Sequence, residues 1–541
     1  MAIAGGALVV GVIVGAGHVP SERQLAQKFG TAWSAGDYGG MYHLLSDDTR
    51  RHVTAVQFRR AYRAATVTAT ATGVSAGRAP DPDDGVVRLP VRVRTRVWGT
   101  VAGVVPLPFS GDGDAARIDW HRNLVFPGLE PGDSLSRQTA LGERGDILAR
   151  NGDPLVTGPS RAAAFPAVSG LVGEIGKAGP VLRRALRPLG YPRDARVGTS
   201  GLELALNAQL GGKPGGILRA GRHVLARSAP RAGDDVRTTI DADAQKAAVA
   251  ALGDRLGGAA ALKPDGQILA LSGIAASDLQ PPGSTFKMIT LTAVLEAGAA
   301  KPSTTFPVQT ETHLSGVRLE NANGESCGGT LVESFAESCN SVFAPLGAKV
   351  GARKLVTTAA KFGFNHPVGI PGFAESTLPA AGKVGDDLAV GSTAIGQGDV
   401  QASALEMATV AATIANRGRR PKLRLELDSR PRYTRATSPR VARMVGKMMV
   451  EVVREGTGTA AAIPGVVVAG KTGTAELGNT VDQEGNKDES APDTDAWFAA
   501  FAQLRKPRVA VGVLLVQAGA GADVGAPAAH DVLTATLGKD S

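Results

Sequence analysis

The sequence predicts a multidomain α+β protein, on three observations. At 541 residues the chain is long enough for two to four domains of roughly 100 to 200 residues, each with its own core. Between Ser21 and about Pro127, helical periodicity gives way to alternating apolar and polar residues, the mark of helices followed by a half-buried antiparallel sheet. From Asp234 a second series opens with a strand, continues into a helix and returns to strands. These changes of pattern divide the chain into segments 1–18, 19–127, 128–234 and 235–541.

Composition narrows the function. Lys and Arg number 59 against 50 Asp and Glu, but the net charge of +9 is spread along the chain and aromatics make up only 4%. Without a basic stripe interleaved with aromatic rings, nucleic acid is not an expected partner. A mildly basic surface suits an anionic envelope. The two cysteines, Cys327 and Cys339, lack Cys-x-x-Cys spacing, and the eight histidines form no ligand pair, so neither a metal nor a cofactor is expected.

Taken in order, Met1 to Gly17 is mostly apolar and carries no charge. It falls at the short end of the roughly 20 residues a membrane helix needs, and its length also suits a signal segment. No basic residue precedes it, though a start upstream of Met1 would supply one, and no small-x-small cleavage site stands out. An uncleaved membrane anchor, with the remainder outside the cytoplasm, is the expectation.

Helices are expected from Ser21, as N-cap, to Trp33, from Tyr38 to Leu45, and near Val56 to Ala64. Strands are expected over Val87–Val93 and Arg94–Val105, with Phe29, Trp33, Tyr38, Met41 and Tyr42 as helix-to-sheet core. Arg144 to Leu155 reads as a hairpin about Asn151-Gly152, and Gly198 to Glu203 opens a short helix that stops at Gly211-Gly212. An opening strand at Asp234–Asp241 precedes a helix from Ala242 to Leu256 and a strand pair turning at Pro264-Asp265-Gly266.

The pair leads to Pro281-Pro282-Gly283-Ser284-Thr285-Phe286-Lys287, after which Met288 to Glu296 has helical spacing and ends at Gly298. Ser284 and Lys287 therefore share the first turn of a helix, where a hydroxyl and an amine can meet over its positive end. Alone, Ser-x-x-Lys is better read as a capping serine followed by a solvated lysine. Partners lie farther on. A helix over Gly329 to Glu337 runs out at Ser338-Cys339-Asn340, where a hydroxyl can relay a proton and an amide can hold a lysine. Val466 to Ala475 reads as a buried strand carrying Lys471, Thr472, Gly473 and Thr474, with Gly473 leaving room for a substrate backbone. The polar run from Leu477 to Thr494 reads as a mobile loop beside this cleft.

Ser-x-x-Lys, Ser-x-Asn and Lys-Thr-Gly in this order resemble the signature of penicillin-binding proteins and class A β-lactamases. The resemblance to a class B penicillin-binding protein extends further. Arg144–Leu155 and Gly198–Glu203 look like its pedestal, a dimerisation-type domain over 128–234. Gly396–Gln401, the helix Ala404–Asn416 and the strand Asp495–Phe501 look like its transpeptidase core. Phe29 to Tyr38, in a helix-helix-sheet order, resembles the NTF2-like spacer domain of some cell-wall synthases.

The resemblance implies an α/β, β-lactamase-like domain with a central antiparallel sheet over 235–541. It implies a D,D-transpeptidase acting on peptidoglycan stem peptides and acylated by β-lactams, possessing no polymerising glycosyltransferase domain, anchored in the cell membrane and meeting cell-wall synthesis or division proteins. Ser284 would be nucleophile and Lys287 base, its pKa lowered by burial and by Lys471. Ser338 and Asn340 would relay the proton and fix Lys287, Lys471 and Thr472 would bind the substrate carboxylate, and the amides of Ser284 and Thr474 would form the oxyanion hole. A D,D-carboxypeptidase and a β-lactam-binding sensor or scaffold without turnover remain as alternatives. Pairing of Cys327 with Cys339 stays open: a continuous nine-residue helix between them would hold the ends about 13 Å apart unless the flanks fold back.

Overall fold

The computed structural model describes residues 20–476, 494–503 and 505–538. The expected anchor, and all but the last residue of the polar run from Leu477, lie outside them. No helix among the described residues is long and apolar enough to cross a membrane. The chain forms two compact units, one of residues 1–143, 177–196 and 211–233, the other of 144–176, 197–210 and 234–541.

In the first unit, helices Ser21–Ala35, Tyr38–His43, Asp47–His52 and Ala55–Thr68 precede an antiparallel sheet of Ala71–Ala76, Val86–Thr95, Gly99–Ser110 and Arg117–Ile118, paired in chain order. Phe29, Trp33, Phe58, Tyr62 and Trp120 pack edge-on or tilted at its centre. The indole of Trp120 donates to the Tyr62 hydroxyl at 3.1 Å, which satisfies a polar group that burial would otherwise strand. Four expectations change here, the first being that the second expected strand starts at Gly99, after a turn at residues 96–98, and not at Arg94. Pro20, not Ser21, takes the N-cap position. The second helix ends at His43, and Ser46 caps a further short helix. The strand Ala71–Ala76 escaped the sequence because Ala, Gly and Ser give it no apolar alternation.

In the second unit the hairpin of Ile147–Leu148 and Pro154–Thr157 forms as expected, with Val236–Arg237 parallel to its first strand. Helix α1 (Ala242–Leu252) stops four residues earlier than expected, at Gly253. Strands β1 (Gly257–Leu262) and β2 (Ile268–Gly273) follow, then helices α2 (Lys287–Ala297), α3 (Leu331–Ala336), α4 (Asn340–Val350), α5 (Ala404–Ala415) and α6 (Pro439–Arg454). Strands β3 (Val468–Glu476), β4 (Thr494–Ala502) and β5 (Val509–Leu515) and helix α7 (Ala526–Leu537) complete the unit. The central sheet has the order β2-β1-β5-β4-β3 and every pairing is antiparallel, so β3 is an edge.

Helices cover both faces of this sheet. Ala259, Ala261, Val511 and Val513 pack with α1 and α7, whereas Ala260, Leu262, Ala510 and Leu514 pack towards α5, which is buried at every residue. Strands covered twice must be apolar at every position, which is why they read as continuous runs. Helix α5 lies so close that a Cβ on Gly512 would stand 2.1 Å from the carbonyl oxygen of Ala404 and 2.7 Å from the nitrogen of Ala408. Both are backbone atoms and cannot swing aside. Gly512→Ala is therefore expected to destabilise the unit by about 1–3 kcal/mol, the usual range for overpacking, read as a lowered thermal midpoint.

Candidate active site

The turn before α2 is built by exclusion. Pro281 and Pro282 cannot continue a helix, and Gly283 to Phe286 form a single 3-10 turn from which Lys287 begins the α-helix. Ser284 is half-buried on that turn, while Lys287 is 0% exposed. The Lys287 amine donates to the Ser338 carbonyl at 2.5 Å, to Asn340 Oδ1 at 2.7 Å and to Ser338 Oγ at 3.3 Å, and it stands 5.8 Å over the Phe343 ring. None of these bonds goes to the Ser284 hydroxyl.

Helix α3 is shorter than the sequence suggests. Cys327–Thr330 is a strand paired with Thr305–Gln309, and a capping box between Thr330 and Glu333 starts the helix at Leu331. Past its end Ser338 adopts φ 64°, the left-handed position that usually closes a helix with glycine. The chain reverses there and enters α4 at Asn340, so Cys339 returns beside the strand and forms a disulfide with Cys327, the two Cα atoms 5.8 Å apart. The flanks do fold back. Asn340 Nδ2 donates to the Glu320 carbonyl at 3.0 Å, and the Ser341 amide donates to Asn321 Oδ1 at 2.8 Å, holding the start of α4.

The third element is edge strand β3. Lys471 is 0% exposed; its amine donates to Ser338 Oγ at 2.8 Å and to the Thr472 carbonyl at 3.2 Å, and lies 5.7 Å over the Phe335 ring. The protein itself also requires a glycine at 473: a Cβ there would stand 2.8 Å from the Pro282 carbonyl oxygen and 2.9 Å from Trp497 Cβ, so the strand packs directly against the nucleophile turn. The Thr474 hydroxyl accepts from the Gly521 amide at 3.2 Å. Sequence reading missed Thr457, whose hydroxyl lies 2.6 Å from that of Thr472. A Gly-Thr-Gly turn straight after an amphipathic helix was the available signal.

Ser284, Lys287, Ser338, Asn340 and Lys471 to Thr474 thus meet in one cleft within one unit. Burial, then the like charge of Lys471, holds the Lys287 amine well below the ordinary lysine range. Burial lowers Lys471 to about 7, against a small opposing pull from Glu337. No set of His, Cys, Asp and Glu among the described residues could hold a metal.

Both lysines bind fewer protons folded than unfolded, Lys471 between about pH 7 and its free value and Lys287 over a window that likewise opens below the free value. Their contribution to stability therefore grows as pH rises through that window. In lysine ¹³Cε spectra two resonances are expected to titrate far below the rest, and Lys471→Gln should move the Lys287 midpoint upward by removing a like charge. A thiol count on denatured, unreduced protein should find none free.

Residues 247–534 match the penicillin-binding protein transpeptidase domain and residues 21–133 the NTF2-like N-terminal transpeptidase domain. The peptidoglycan D,D-transpeptidase PbpA of Mycolicibacterium smegmatis is 39% identical over 292 residues, which cover 49% of this chain and 57% of that protein. The chain thus spans little more than half the length of this curated relative. The penicillin G acyl-enzyme complex of penicillin-binding protein A from M. tuberculosis superposes with a TM-score of 0.56 at 29% identity, over 73% of this chain and 99% of that one. The D,D-transpeptidase domain of a peptidoglycan glycosyltransferase from Eggerthella lenta gives 0.59 at 29% identity, over 74% and 99%. With the transpeptidase match spanning more than half of its residues and an NTF2-like domain ahead of it, the chain belongs to the class B penicillin-binding proteins.

Proposed function

We propose that the protein is a peptidoglycan D,D-transpeptidase. The observation that carries the reading is the meeting of two buried lysine amines at the Ser338 hydroxyl, beside the turn that bears Ser284. A neutral amine has two N–H groups and one lone pair. The Ser338 carbonyl and Asn340 Oδ1 take the two N–H groups of Lys287, which leaves its lone pair for a hydroxyl proton.

Ser284 Oγ attacks the carbonyl between the two terminal D-alanines of a stem peptide, and its proton passes to Lys287. The amides of Ser284 and Thr474 stabilise the oxyanion, a contribution typically worth about 3 to 4 kcal/mol when one donor is lost. Lys471 and Thr472 hold the terminal carboxylate. As the C–N bond breaks, the proton moves through Ser338 to the leaving amine. An amine of a neighbouring strand then attacks the ester, gives up its proton along the same path and frees Ser284, completing a cross-link. A β-lactam opens on the same serine and leaves slowly.

The proposal includes the four segments 1–18, 19–127, 128–234 and 235–541 as anchor, spacer, pedestal and transpeptidase. It places the catalytic unit outside the cytoplasm, tethered to the cell membrane by its N-terminus and working beside cell-wall synthesis or division proteins. A fluorescent penicillin is expected to label the protein and to lose all label in Ser284→Ala. A stem-peptide donor should be joined to a D-amino-acid acceptor; release by water alone would identify a carboxypeptidase, and label without any turnover a sensor.

A further inference from the structure

Thr457 lies on no catalytic motif, yet it touches two walls of the cleft. It follows α6 in the run Glu455-Gly456-Thr457-Gly458. The Gly456 amide bonds the Glu451 carbonyl at 3.1 Å and the Gly458 amide bonds the Val452 carbonyl at 2.8 Å, so the turn is tied to the end of the helix on either side of Thr457. A Cβ on Gly456 would stand 2.4 Å from the Ala336 carbonyl oxygen, which shows how closely this backbone approaches the end of α3. The Thr457 amide donates to that same carbonyl at 3.2 Å. Its side chain is thereby carried to the sheet edge, with its hydroxyl 2.6 Å from Thr472 Oγ1 and 3.3 Å from the Ala336 carbonyl.

One proton must choose between these two acceptors. The Ala336 carbonyl already has an amide donor and the hydroxyl reaches it only at 3.3 Å, whereas Thr472 is at the short end of the O–H···O range. We infer that Thr457 is a positioning residue which donates to Thr472 and so turns the Thr472 hydroxyl proton towards the substrate carboxylate. In this polarity Thr472 Oγ1 accepts from Thr457 and, at 3.4 Å, from Lys471, and its own proton is left over for an incoming anion. In the reverse polarity Thr472 would spend its proton on Thr457 and present lone pairs to a carboxylate, which repels it. Because Thr457 is also bonded to Ala336, two residues before Ser338, the same contact ties carboxylate recognition on β3 to the loop that delivers the proton relay.

This inference rests on the transpeptidase reading, and the test separates the two. The probes are benzylpenicillin and its methyl ester, which differ only in the anionic group, and the readout is the ratio of their second-order rates of acylating Ser284. In Thr457→Val, which keeps the shape and removes the hydroxyl, the acid-to-ester ratio is expected to fall about tenfold, the value of one hydrogen bond to a charged group. Thr457→Ser restores the hydroxyl and is expected to return the ratio to within about twofold of the wild type. A ratio unchanged in Thr457→Val, whether both rates hold or both fall together with the thermal midpoint, overturns the positioning role while leaving the transpeptidase reading intact. A wild-type chain that benzylpenicillin does not acylate overturns both.

Discussion

Two lysine amines at 0% exposure share one serine hydroxyl, and neither has a carboxylate within hydrogen-bonding distance among the described residues. Taking an ammonium out of water costs several kcal/mol even after relaxation, and placing a second beside it adds repulsion. The fold tolerates the pair by offering carbonyl oxygens, an amide oxygen and the faces of Phe343 and Phe335, and by letting protons leave. Lowered pKa values are how that tension is relieved. A lysine in this state is a base at neutral pH, so the cost of burial and the capacity for chemistry are one property.

Much of the second unit serves to keep these amines where solvent would draw them out. Helix α2 is buried from Lys287 to Val294, so the amine cannot swing into water without moving a core helix. The sheet, covered on both faces, fixes β3, and β3 leaves its free edge to the Ser284 turn instead of a sixth strand. The third wall is the least regular. Ser338 stands in a left-handed conformation that costs a side-chain-bearing residue about 1–3 kcal/mol unless its surroundings hold it. A disulfide at the next residue, the carbonyl of Glu320 and the carboxamide of Asn321 supply that hold.

What the sequence disclosed follows the range of the forces involved. Ser284, Lys287, the helix they start and the strand bearing Lys471 are set by local rules: proline exclusion, helical spacing and apolar runs. The order of strands in the sheet is a matter of contacts far apart in the chain, and the resemblance implied only that the sheet is central and antiparallel. At Ser338 the sequence indicated a helix end but not a reversal, because the positive φ of a serine has no compositional mark. The same blind spot left the cysteine pair open: a nine-residue helix would part them, and the capping box that shortens the helix outweighed the apolar spacing. Gly473 marked a close approach, but the sequence did not name the Pro282 carbonyl, since a glycine signals close approach without saying what approaches. At Thr457 the Gly-Thr-Gly turn marked a close approach but not its chemistry, because a hydroxyl becomes informative only beside another.

The hydrogen-bond valence of Ser338 explains why both lysines are needed. Its hydroxyl has one proton and lone pairs to accept with, and its two close neighbours are amines. If both were charged, each could only donate, and the Ser338 proton would have no acceptor between them. If both were neutral, nothing would fix which way it pointed. Burial lowers both amines, which leaves the Lys287 lone pair open to the Ser284 proton; once it holds that proton Lys287 donates to Ser338 Oγ, and the Ser338 proton faces the leaving amine. The hydroxyl is then polarised from one side and committed to the other, which is the arrangement a relay requires.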